Sequence, residues 1–216
     1  MLWAMWIRAA LGCAVVGGCS SEPQLEILGV EVAETCPDDP NALFFPTGTF
    51  ESDDLNPNIN VVRNWYSSVL SETQESSLSC GEWSYQESYR FVWLRTYEAP
   101  LTVRVFRDHK DVHLEAVILK GTGGFGATGV SQRISKRVSM SQWKELLVAV
   151  EKSNLWELSS ELKGYDALDG AQWIIEVRKG DRYHMVDRPS GDVSVQQIGL
   201  KLLELAELTD LVGPIY

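Results

Sequence analysis

Histidine is scarce in this chain of 216 residues, with three copies, and cysteine little less so, with four. His109 and His113 straddle a turn-like HKD, His184 is remote in sequence, and no His-x-His, CxxC or Cys/His spacing occurs. A zinc site needs such clustered ligands, so no metal and no cofactor is expected. Basic residues are also in deficit: 19 Lys and Arg against 30 Asp and Glu leave a formal net charge of −11. That balance argues against sequence-independent nucleic-acid binding, which needs a basic footprint. It leaves room for a basic partner. After the first 20 residues no apolar run approaches the length of about 18 that a membrane-spanning helix requires. Internal repeats and low-complexity tracts are missing too. What is present is 44% hydrophobic and 23% charged residues, enough for one core in one domain.

The opening stretch MLWAMWIRAALGCAVVGG carries one charge, Arg8, and ends in small residues, the composition of a secretory leader. A start at Met5 would place Arg8 at the more usual distance from the N-terminus. The run Val16-Gly17-Gly18-Cys19 resembles the lipobox of bacterial lipoproteins. That resemblance implies cleavage before Cys19, a diacylglyceryl thioether on its sulfur, and membrane attachment through the lipid. Ser20 after the cysteine points to the outer membrane where two membranes exist, on its periplasmic or surface face. A plain secretory signal satisfies the same small residues. Once Cys13 leaves with the leader and Cys19 takes lipid, Cys36 and Cys80 remain, an even pair for an oxidising compartment. Their bridge would be worth roughly 4 kcal/mol in the chain-entropy model. The expected organisation is a signal peptide over 1–18, an acidic tether over 19–42 and one domain over 43–216.

Patterning predicts an α+β domain, mainly one antiparallel sheet of about six strands with about three helices. The first helix is read in NPNINVVRNWYSSVLSETQ, capped by Asn58 or Asn60, with Ile59, Val62, Tyr66 and Val69 at helical spacing. Four strands follow: SYRFVWLRTY, LTVRVFRD, VHLEAVILK and GVSQRISKRV, the last with Val130, Ile134 and Val138 on one face. Ser139 and Gln142 form a capping box for a helix striped with Met140, Trp143, Leu147 and Val150. Two more strands, AQWIIEVR and RYHMVDR, and a helix capped by Asp192 complete the order. Hairpins without a βαβ rhythm argue for antiparallel pairing. The Trp173, Ile175 and Val177 face is expected to meet the helix of Trp143.

The segments YRFVWLR (89–95), LSSELKGYDALDGAQWIIE (158–176) and RYHMVDRPS (182–190) together resemble an uncharacterised family of bacterial envelope proteins, over roughly residues 44–208. FPTGTF (45–50) and NWYSSVL (64–70) match it more loosely. The chain departs from that pattern at Pro189, where the family tends to carry an aromatic. The resemblance implies one domain and no activity.

Four constellations are candidates for function. GTGGFG (121–126) matches the dinucleotide fingerprint, but a strand pattern follows it where a phosphate-binding helix is needed, so it reads as a hairpin loop. Asp166, Asp169, Glu176, His184 and Asp187 fall in one loop and one hairpin. If Glu176 and His184 were cross-strand neighbours they would make an acid–base pair for an envelope hydrolase; otherwise they are ion-pair and turn residues. Tyr89, Phe91, Trp93 and Tyr97, rimmed by Arg90 and Arg95, form either a central-strand core face or a part-open surface for a glycan or peptide. Arg133, Arg137 and Arg104 form a solvated outer face or a strip for anionic lipid or cell-wall polymer. The resulting expectation is a lipid-anchored envelope protein, a binding or accessory module rather than an enzyme, with an envelope protein or cell-wall glycan as partner. Inhibition of a basic envelope enzyme is the alternative that the acidic charge adds.

Overall fold

The computed structural model describes residues 44–46, 48–50, 61–80, 85–124, 126–162 and 170–210. All of them belong to the compact unit Glu34–Tyr216, the other unit being Met1–Ala33. The described residues form one α+β domain. Helix α1 (Val61–Glu72) precedes strands β1 (Glu87–Leu94), β2 (Leu101–Asp108), β3 (Asp111–Lys120) and β4 (Thr128–Val138). Helix α2 (Met140–Ser153), a short 3-10 turn (Leu155–Glu157), strands β5 (Gln172–Lys179) and β6 (Arg182–Pro189), and helix α3 (Gln196–Ala206) follow. The strands make one sheet in the order β4-β3-β2-β1-β5-β6, antiparallel at every pairing.

The aromatic strand is β1, and it is central: all eight of its residues are buried between β2 and β5. Because strand side chains alternate, the sheet has two apolar faces and each needs a cover. Tyr89, Phe91, Trp93, Val103, Leu114 and Ile175 face α2 and α3 in the larger core. Val92, Leu94, Val117, Ile174 and Met185 face α1 and the aromatic segment Phe44, Phe45 and Phe50 in the second.

Helix α2 starts where the capping box placed it. Gln142 N donates to Ser139 Oγ at 3.3 Å and Ser139 N to Gln142 Oε1 at 3.0 Å. Helix α3 begins a turn later than expected. Asp192 does cap, its Oδ1 accepting from Ser194 N at 2.8 Å, but a tight turn with Val195 N donating to Asp192 O precedes the α-helix proper. The residues named as caps of α1 lie outside the described residues.

One facing assignment is extended and one corrected. Trp173, Ile175 and Val177 share one core with Trp143 and Val150 of α2. Helix α3 also closes on Trp173: a Cβ on Gly199 would stand 2.7 Å from its ring, so glycine there lets helix and indole approach. Trp143 packs on Tyr89, ring centres 5.6 Å apart, while Met140 is exposed. Val130 does not share a face with Ile134 and Val138. The β3–β4 register slips between Ile118 and Leu119, and this bulge turns Val130 to the α1 side beside Val117 and Leu119.

Candidate functional site

The acid–base dyad is taken apart by the β5–β6 turn. Gly180, at φ 58, and Asp181 close a tight hairpin that pairs Lys179 with Arg182. From that register Glu176 faces Met185 and His184 faces Val177, so Glu176 and His184 point to opposite sides of the sheet.

Each has another occupation. Glu176 is fully buried on the α1 side, where Arg90 grips it with two bonds, Nε to Oε2 at 2.6 Å and Nη2 to Oε1 at 2.8 Å. Tyr183 OH donates to the same carboxylate at 3.0 Å. Arg90 also donates to Ser76 O at 2.9 Å, and Glu75 bridges Arg90 to Arg104, which reaches Glu115 at 2.6 Å. Thr102 Oγ1 donates to Glu75 Oε1 at 3.1 Å. Burial alone would push the Arg90 guanidinium toward neutrality, and Glu176 and Glu75 more than restore its charge. This network fastens the segment after α1 to the middle of the sheet. Arg90 therefore does not rim the aromatic face but stands behind it. Arg104 is likewise buried, so the basic strip loses a member. Arg133 donates to Thr73 O at 2.7 Å and Arg137 meets Asp111 at 3.3 Å on the surface.

His184 is half-buried on the other face, its Nε2 2.9 Å from Leu158 O and its ring stacked on Trp156. Burial lowers its pKa, which favours the neutral ring. His109 sits exposed beside Asp108, and His113 stacks on Phe106. Among the described residues no group of three His, Cys, Asp or Glu is arranged to hold a metal ion.

The aromatic face is closed as well. Tyr89, Phe91 and Trp93 are at most 2% exposed beneath α2 and α3, so they are core and offer no surface to a ligand. Arg95 lies over the Trp93 ring at 5.0 Å and bonds Glu98 and the Ala99 carbonyl. Tyr97, beyond the strand, is 68% exposed.

Several motifs singled out in the sequence do converge, at one end of the sheet. Gly123 N donates to Arg95 O at 2.9 Å, and a Cβ there would stand 2.7 Å from that carbonyl. The glycine-rich stretch thus exists to dock two hairpin turns against each other. Trp65 Nε1 donates to Gly123 O at 2.8 Å, and Thr96 Oγ1 to Gly170 O at 2.6 Å.

Near this end Asp187 meets Tyr66, whose OH donates to Oδ2 at 3.0 Å. Tyr66 stands in an edge-to-face cluster with Phe45 and Phe50. Burial foremost, with Glu161 adding repulsion, pushes the Asp187 carboxyl up to about 7. Asp166, Asp169, Cys19 and Cys36 lie outside the described residues; Cys80 is half-buried.

A shallow groove of about 590 Å³ runs between α2 and α3, with Val148 and Leu200 as its apolar floor and Lys144, Lys152, Lys201 and Glu204 around it. No helix of the described residues is long and apolar enough to cross a membrane. Compared with protein-family models, curated proteins and solved structures, the chain gives no match.

Proposed function

We propose that this chain is a lipid-anchored protein of the bacterial envelope whose α+β domain is a binding or accessory module. The observation that carries the reading is the Val16-Gly17-Gly18-Cys19 run behind an apolar leader with a single charge. Two or more acyl chains on Cys19 would make a firm anchor, at roughly 0.8 kcal/mol per buried methylene. The acidic stretch from 20 to 42 is the tether that such an anchor needs.

The geometry favours a module over the hydrolase alternative on one point. Glu176 is consumed by Arg90 and turned away from His184, so that dyad has no general base to offer. Cys19→Ser is the test. Expressed in a bacterium, the wild type should sediment with membranes and the variant should appear unprocessed or in the soluble fraction. Unchanged processing and attachment of the variant would overturn the anchor. A Cys36–Cys80 bridge belongs to the same proposal, and a non-reducing peptide map that finds both thiols free would remove it.

A further inference from the structure

The sheet ends in two outermost strands, β4 and β6, and only β6 is guarded. Its free side is met by the segment after the 3-10 turn: Asp187 N donates to Ser160 O at 2.7 Å, and Arg188 Nη2 holds Ser159 O at 2.7 Å. Nothing comparable meets β4. Among the described residues its backbone groups bond to β3 alone, apart from Gly129 N, which donates to Glu72 Oε2 at 2.7 Å near the strand's start. Beyond the bulge the register with β3 runs unbroken from Gln132 to Val138, and of these residues only Val138 is buried. Every second residue of such an edge turns its N–H and C=O away from the sheet, an open template for another strand. The side chains restrict what that strand can carry. Thr128–Val138 holds Arg133, Lys136 and Arg137 and no acid, in a chain whose net charge is −11. Arg133, Ser135 and Arg137 share one face, while Ile134 packs against the larger core on the other. Arg133 donates to the Thr73 carbonyl and meets no carboxylate among the described residues. The Arg137–Asp111 pair is exposed on both sides, so it exchanges partners at little cost. A second copy of β4 is a poor occupant, because it brings cations to a strand that holds only cations.

We propose that the outer edge of β4, over Gln132–Val138, receives an extended acidic segment of a partner protein as an added strand, with carboxylates beside Arg133 and Arg137 and an apolar residue beside Ile134. Main-chain bonds supply the affinity, and the arginines select the partner. The inference rests on the reading of the domain as a binding module and is independent of the lipid anchor, so its failure leaves the Cys19→Ser result untouched.

Fluorescence anisotropy of the full chain with two synthetic peptides of about eight residues, one alternating Glu and Val and the other Lys and Val, tests the edge. An extended Glu/Val strand sets its glutamates on one face, beside Arg133 and Arg137, and its valines on the other, beside Ile134. It should bind, and the Lys/Val peptide should not. Hydrogen–deuterium exchange should register that binding as slowed exchange within Gln132–Val138. Arg133→Glu with Arg137→Glu should weaken the Glu/Val peptide by about tenfold or more; both side chains are exposed, so the fold tolerates the change. No binding of the Glu/Val peptide, equal binding of both peptides, slowed exchange only outside β4, or an unchanged affinity in the double variant would each overturn the proposal. So would protection of Gln132–Val138 in the free protein that rises with its own concentration, which would make a second copy the occupant.

Discussion

A charge on the inner face of a central strand was in plain view in the sequence, and its meaning was not. Arg90 alternates with Val92 and Leu94, so it had to be buried on their side and had to find a counter-charge. Glu176 supplies it from the neighbouring strand, directly opposite in the β1–β5 register. That partner was out of reach of sequence reasoning because β5 is inserted beside β1 only after 70-odd residues of chain. Removing one partner of a buried pair leaves the other uncompensated, so Arg90→Met should cost about 3–5 kcal/mol. The double variant Arg90→Met, Glu176→Leu should recover most of that loss, read from denaturant midpoints. If the double variant is no better than the single one, the network does not act through paired charge.

At the scale of elements, periodicity located every strand and all three α-helices of the described residues, because alternation and capping are local signals. It assigned partners less well, because partners are tertiary. Trp173 was expected against α2 and shares its core, but α3 also packs on it, where Gly199 makes room for the indole. The signal was available: a glycine between the apolar residues Ile198 and Leu200 inside a helix marks a close approach. Trp173→Ala should destabilise by about 3–5 kcal/mol. Gly199→Ala should itself cost about 1–3 kcal/mol by overpacking, and the costs should not add, since Trp173→Ala vacates the space that the new methyl needs. Strict additivity in thermal melts would place the indole elsewhere. The bulge that turned Val130 over is a similar case. A one-residue slip changes no composition, only the face.

For the molecule as a whole, one acid gives stability a defined pH dependence. The Asp187 carboxyl titrates near 3.8 when free and near 7 in the fold, chiefly through burial. Between those values the native state holds a proton that the unfolded state has lost. Stability from this group is therefore full below about pH 4, falls as pH rises, and is gone above about pH 7, a change of at most a few kcal/mol. Asp187→Asn should flatten that slope in urea melts from pH 4 to 8; an unaltered slope would assign the dependence to other groups. The aromatic face is closed and Glu176 is held by Arg90, so the lipobox-like leader is the strongest signal of role. The measurement that meets the central claim head-on is the mass of the N-terminal peptide of the protein purified from bacterial membranes. The account predicts a mature chain that begins at Cys19 and carries a diacylglyceryl thioether; a peptide that begins elsewhere, or a Cys19 with an unmodified thiol, would contradict it.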